Sequence, residues 1–194
     1  ARAAVFAANA GLSGLEFAHG IPGTVGGGVY MNAGAYGGEI CQICREVEVM
    51  ALSGGIHTYT ADEMAFSYRH SRLEDTFGIV VSAVFQLEQK PEEEIRAQMQ
   101  ELLRRRKASQ PLDLPSAGSA FKRPAGGYAA ALIDEAGLKG FRVGNAAVSE
   151  KHAGFVVYLG NATAFDVQTL LAQVSDKVYE QTGITPDKTV IIEK

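Results

Sequence analysis

The chain has 194 residues, 46% of them apolar and 21% charged, with a net charge of −4 and a mean hydropathy of zero. That profile belongs to a folded globular protein; it excludes disordered, collagen-like and coiled-coil chains and argues against a general polyanion binder. The longest uncharged stretch, residues 17–38, holds eight glycines and a proline, which no lipid-facing helix would tolerate.

The first pattern is helical, over residues 2–10, and stops at Gly11 in the manner of a glycine cap. The sequence starts inside this pattern and without Met, so it reads as a fragment whose upstream segment is missing. Eight glycines then crowd into residues 20–38. Cys41 and Cys44 follow as a single C-x-x-C. A zinc site needs about four ligands, and a redox pair needs a helix behind it, so these two read as reduced packing residues.

Strand patterns cover residues 46–52, 56–60 after the Ser53-Gly54-Gly55 turn, and 78–87. Residues 88–107 carry 11 charges in 20 positions, yet Ile95, Met99, Leu102 and Leu103 fall on one helical face. Acidic residues open that helix and basic ones close it, matching its dipole. Those charges read first as a solvated face, and the basic end as a phosphate contact only second. Further helices are predicted at 128–136, ending at Gly137, and at 163–182. The latter has a Thr163/Asp166 capping box, a stripe of Val167, Leu170, Leu171, Val174 and Val178, and a stop at Gly183. Residues 153–159 read as a buried strand, and 189–193 as a short final one.

The glycine-rich run GIPGTVGGGVYMNAGAYGGE implies backbone brought very close to something, or repeated positive φ. Exposed N–H groups with Thr24 among them suit a phosphate or a flat ring bearing acceptors. The run lacks the G-K-[ST] of a P-loop, and no G-x-G-x-x-G follows a strand. A tight structural loop is the bland alternative.

This run, SYRHS at 67–71, PSAGSAFKRP at 115–124 and GLKGFRVGNAAVSEKHAGFVV at 137–157 occur in the order of one family. Together they resemble the UDP-N-acetylenolpyruvoylglucosamine reductases (MurB) of peptidoglycan precursor synthesis, in their shorter subclass. The resemblance implies an α+β, two-lobed protein: part of a FAD-binding domain of the PCMH/VAO type over residues 1–91, then a substrate-binding domain over 92–194. It implies a cytoplasmic enzyme using FAD and NADPH on a small-molecule UDP-sugar, with no nucleic-acid, membrane or metal partner. With the upstream pyrophosphate loop absent, the fragment is expected to hold FAD weakly.

Site residues follow by the same resemblance. Arg69 matches the catalytic arginine and Ser119 the proton donor, meeting where the two domains join. Flavin contacts fall on Ile21, Pro22, Gly23, Thr24, Gly27 and Gly34, with Ile79 against the ring system. Lys122 and Arg123 suit the substrate phosphates, and His152 a further substrate contact. Taken by residue type alone, Arg69 reads as a surface ion pair, Ser119 as a turn cap, and the last three as solvated surface.

Arg72 reads as structural, and His57 and His70 as surface residues. One departure stands out: Thr189 occupies the place of the family's closing catalytic glutamate, with Glu193 too far along the strand to substitute without a register shift and Asp187 a remoter candidate, and Tyr158 stands where Asn is expected. Two rival readings are another flavin oxidoreductase of the same FAD-binding fold, and a non-catalytic UDP-sugar-binding relic.

Overall fold

The computed structural model describes residues 1–124 and 127–188. The chain forms two compact units, Ala1–Arg106 and Lys107–Lys194. The expected strand at 189–193, and with it Thr189 and Glu193, lies outside the described residues.

The first unit opens with α1 (Arg2–Asn9), which buries Ala4, Ala7 and Ala8 along one face. Ala10 closes it, and Gly11 follows with φ 68°, as the sequence predicts. Next come β1 (Leu12–Ser13), α2 (Val25–Tyr30), β2 (Gly34–Ala35) and β3 (Gly38–Glu39). Then β4 (Cys44–Met50), β5 (Ile56–Thr60), α3 (Leu73–Thr76), β6 (Ile79–Phe85), β7 (Glu88–Gln89) and α4 (Glu92–Ser109) follow.

β4 is the centre of a three-stranded antiparallel sheet ordered β5-β4-β6. Its alternation is strand-like: Val47 and Val49 are buried, while Glu46, Glu48 and Met50 are exposed. The strand begins two residues before the predicted start because Cys44 pairs with Phe85. It ends two residues early because Ala51 and Gly55 already form the turn to β5. β1 pairs with β7, and β2 with β3. α1, Leu15, Phe17, Val29, Val47, Met64 and Leu73 share one core.

That core also takes Ile95 and Met99 of α4. A division at 91/92 gives this helix to the second domain; the compact units instead part between Arg106 and Lys107, because the helix buries its apolar face in the first. The predicted helix at 88–107 loses its opening residues to β7 and starts past Pro91, a residue at home in a first turn.

The second unit contains β8 (Ser116–Ser119), α5 (Ala129–Glu135), β9 (Arg142–Val143), β10 (Ala146–Val148), β11 (Phe155–Tyr158) and α6 (Ala164–Thr182). Its antiparallel sheet runs β8-β11-β10-β9. The capping box of α6 forms as read: Thr163 Oγ1 accepts from Asp166 N at 3.1 Å, and Asp166 Oδ2 from Thr163 N at 2.9 Å. Gly183 ends the helix in the left-handed region. Leu170, Leu171, Val174 and Val178 are buried with Phe121, Ile133 and Val148, and Val167 sits at the edge of that cluster. β11 is less buried than predicted, with only Val157 fully enclosed.

Candidate active site

The run at 20–39 folds as a loop, a short helix and a hairpin. Thr24 caps α2, its Oγ1 accepting the Gly27 N–H at 3.0 Å. Three glycines make this helix weak on its own, so it depends on that cap and on burial of Val29. Ile21, Pro22, Gly23, Thr24 and Gly27 line one cavity of about 750 Å³, with Gly28, Met31, Ala33, Phe85 and the first residues of the chain as further walls. Five of the seven expected flavin contacts are thereby brought together. Ile79 opens β6 with an exposed side chain and is not part of the cavity wall. Gly34 lies just past that wall, on β2, where its carbonyl accepts from Arg69 Nη2 at 2.6 Å.

Arg69 occupies the tip of a tight turn in which Ser67 and His70 exchange backbone hydrogen bonds of 3.1 and 3.2 Å. Its φ of 54° is unusual for a non-glycine residue and persists only where the surroundings impose it. They do so here. Nη1 donates to the Asn32 carbonyl at 3.3 Å and Nη2 to that of Gly34, while the Tyr68 ring lies 5.2 Å from the guanidinium carbon. Ser71 Oγ donates to the Tyr30 carbonyl at 2.6 Å, and Tyr30 Oη returns to the Leu73 carbonyl at 3.0 Å. The glycine-rich segment and the Ser67–His70 turn are therefore one hydrogen-bonded body, and Arg69 is no loose surface cation. A guanidinium has five N–H donors, so this clamp leaves others available to a carboxylate.

Neighbouring residues sort clearly. Arg72 stacks over Tyr59 at 4.6 Å and donates to the Glu63 carbonyl at 2.9 Å, a structural role as read. His70 is no isolated surface residue: its Nδ1 lies 2.6 Å from Glu74 and its Nε2 3.5 Å from Asp75. Cys41 and Cys44 are free thiols, and burial pushes both above the ordinary thiol range, which suits packing rather than reactivity. At the end of α4, Arg104 and Arg105 both bond Glu101 and hold its carboxyl down to about 2, so they serve the helix surface.

In the second unit Ser119 ends β8, exposed, opposite Phe155 of β11. Gly118 before it has φ 90°, which turns the strand out of its regular path. Ser119 Oγ approaches the Phe121 carbonyl at a long 3.4 Å. Ser116 is used differently: its hydroxyl donates to the Val156 carbonyl at 2.8 Å and accepts from Gly118 N at 3.1 Å. Lys122 is fixed through its backbone, its N–H donating to the Asp187 carbonyl at 2.7 Å. The Arg123 guanidinium lies 4.0 Å from the Tyr128 ring centre. Tyr158, in the place of the expected Asn, accepts the Asn161 N–H on its hydroxyl at 2.6 Å.

His152 stacks edge-on against Phe155 at 4.9 Å, and its Nδ1 accepts the Gly154 N–H at 3.1 Å. Burial, helped by the Lys139 charge, lowers its pKa below the usual imidazole value. The unfolded chain takes up this proton near pH ~6.5, whereas the folded protein refuses it until lower pH. The contribution is therefore complete above that range and lost as pH falls through it. Thermal midpoints measured from pH 8 down to pH 5 should fall further for the wild type than for His152→Gln. A constant difference between the two proteins across that range would contradict this.

Sequence reasoning passed over Asn32 as a site residue. It is 1% exposed, has φ 43°, and joins Ser67, Glu39 and Cys41 through its side chain. A polar residue with turn propensity inside a glycine run was the available signal. The cavity walls supplied by α1 and Phe85 left no local signal at all.

Comparison with known proteins gives this geometry its setting. Residues 3–60 match the model of a FAD binding domain, and residues 110–192 match the model described as UDP-N-acetylenolpyruvoylglucosamine reductase, C-terminal domain. The chain thus pairs a match to a FAD binding domain with a match to the C-terminal domain of a reductase family. It is similar to the UDP-N-acetylenolpyruvoylglucosamine reductases of Agathobacter rectalis, 53% identical over 95% of this chain and 59% of the relative, and Syntrophomonas wolfei, 51% over 92% and 60%. The crystal structure of that reductase from Thermus caldophilus superposes with a TM-score of 0.85 at 43% identity, covering 98% of this chain and 69% of that one. The chain belongs to the UDP-N-acetylenolpyruvoylglucosamine reductase (MurB) family. It spans about 60% of the length of the curated relatives it matches. The α+β character, with a FAD-binding part ahead of a MurB-type C-terminal domain, is as the sequence led us to expect.

Proposed function

We propose that this protein is a cytoplasmic, FAD-dependent enzyme that uses NADPH to reduce UDP-N-acetylenolpyruvoylglucosamine to UDP-N-acetylmuramate. The observation that carries the reading is the pairing of a ligand-sized cavity, walled by Ile21, Pro22, Gly23, Thr24 and Gly27, with an arginine clamped on Gly34, the residue after the cavity-lining Ala33. The cavity fits the cofactor in kind: apolar walls suit a flat ring system, and the glycine backbone allows close approach. Gly34 and Ile79 complete the proposed flavin set. FAD, when bound, supplies the hydride that NADPH has given it.

The chain's own residues do the rest. Addition of hydride to one carbon of the enolpyruvyl double bond leaves negative charge on the carbon beside the carboxylate. Arg69 holds that carboxylate and stays charged as the enolate develops. Ser119 delivers a proton to the same carbon; a hydroxyl is a weak acid, so it serves only when positioned against a strong carbon base. Lys122 and Arg123 hold the substrate phosphates, and His152 lines the sugar. The domains are proposed as a FAD-binding part and a substrate-binding part, meeting the expected order of the family.

The test is anaerobic. The FAD-loaded protein is reduced with NADPH and then mixed with the enolpyruvyl sugar nucleotide or with oxygen, while the flavin absorbance is followed. Reoxidation far faster with the sugar nucleotide than with oxygen is the expected result. The reverse order would make this a different flavin oxidoreductase, and sugar-nucleotide binding without reoxidation would make it a relic.

A further inference from the structure

We propose that Asn32 is the positioning residue for Arg69, setting the guanidinium for a ligand carboxylate; this rests on the reading of Arg69 given above. The residue acts at both ends of the arginine. Its side-chain Nδ2 donates to the Ser67 carbonyl at 2.9 Å, which pins the turn that carries Arg69. Its own carbonyl accepts from Arg69 Nη1 at 3.3 Å, which orients the guanidinium at the far end of the same side chain. Backbone root and charged tip are therefore referenced to one residue.

Asn32 is itself held in place without slack. Nδ2 also donates to Glu39 Oε2 at 3.1 Å, and Oδ1 accepts the Cys41 N–H at 2.9 Å. With 1% exposure and every side-chain polar atom bonded, no water competes for these positions. Its φ of 43° lies in the left-handed region, where Asn is among the few non-glycine residues at home. Asparagine is thus the one type that supplies the backbone shape, two donors and an acceptor together. The next residue, Ala33, lines the 750 Å³ cavity, so the same anchor ties the arginine to the proposed ring-binding wall.

Two bonds of Asn32 have separable roles. The Glu39 bond closes the hairpin base, whereas the Ser67 bond reaches the arginine turn. Asn32→Asp loses both and sets a carboxylate against Glu39. Adding Glu39→Gln restores a donor–acceptor pair at the hairpin but leaves the Ser67 carbonyl with the His70 N–H alone.

Calorimetric affinities of the FAD-loaded protein are measured for UDP-N-acetylenolpyruvoylglucosamine and for UDP-N-acetylglucosamine, which lacks the carboxylate. Arg69→Ala should weaken the first ligand by about 10–100-fold, the worth of hydrogen bonds to a charged group, and leave the second unchanged. Asn32→Ala should weaken the first by part of that factor, spare the second, and cost nothing further in the Arg69→Ala background. If Asn32→Ala does not fold, the Asn32→Asp/Glu39→Gln protein should melt near the wild type yet keep the carboxylate-selective loss.

Equal weakening of both ligands, or full additivity with Arg69→Ala, would reduce Asn32 to loop support and overturn the proposal while the reading of Arg69 stands. No selective loss in Arg69→Ala would overturn that reading, and the positioning role with it.

Discussion

Ser119→Ala should leave reduction of the flavin by NADPH intact and slow the following transfer to the enolpyruvyl sugar nucleotide by about 10²–10⁴-fold, the usual contribution of a positioned proton donor. The side chain is exposed at the end of β8, and the turn imposed by Gly118 takes it out of the regular pleat. Its contact with the Phe121 carbonyl is long, at 3.4 Å, at the weak end of hydrogen-bond geometry. Ser116 gives the internal control. Three residues away on the same strand, it bridges β8 to β11 through the Val156 carbonyl and supports Gly118 N. Ser116→Ala should cost about 1 kcal/mol of stability with both half-reactions little changed. Rapid-mixing measurement of each half-reaction decides the matter. An equal fall in both for Ser119→Ala would make that serine structural too.

The contrast between these two serines shows where sequence reading succeeds and where it stops. Residue type alone offered only a turn cap for Ser119; the surrounding motif singled it out. Elements whose signal is local were legible. The Thr163–Asp166 box and the 170/171/174/178 stripe fall within one continuous stretch, residues 163–178, and α6 forms as read. The alternation of β4 and the glycine stops at Gly11 and Gly183 are equally local.

Elements held by distant partners were not legible. α2 contains three glycines and would be rejected on propensity, yet a Thr24 cap and tertiary burial of Val29 sustain it. β8 reads Ser-Ala-Gly-Ser, with no β-branched residue, and exists because β11 lies beside it. The side of the boundary that α4 packs on was not legible either: the 91/92 division came from the resemblance, whereas Ile95 and Met99 decide which core the helix joins. Asn32 falls in the same class, since its partner Ser67 is 35 residues away.

Gly34→Ala is expected to damage the first unit. An added Cβ would lie 2.6 Å from Glu39 Cγ, 2.7 Å from the Gly38 carbonyl and 3.2 Å from Arg69 Nη1. The first two contacts are below any real Cβ distance, and one of them is backbone that cannot swing aside. The β2–β3 hairpin must open or β2 must shift, and the Gly34 carbonyl then leaves Arg69 Nη2. Overpacking of this kind costs about 1–3 kcal/mol, so the melting temperature should fall by several degrees.

Gly28→Ala should do the opposite. Its Cβ would meet only Ala33 Cβ at an ordinary 3.7 Å, in the interior of α2, where alanine favours the helix by about 1 kcal/mol. Gly28 nevertheless lines the cavity, so the same methyl should raise the melting temperature of the ligand-free protein and weaken FAD. The two substitutions together separate glycine kept for folding from glycine kept for a ligand's approach. Flavin titration and thermal melts of both variants read this directly. If Gly28→Ala binds FAD as the wild type does, Gly28 is not kept for a ligand's approach and the cavity loses its claim on the cofactor.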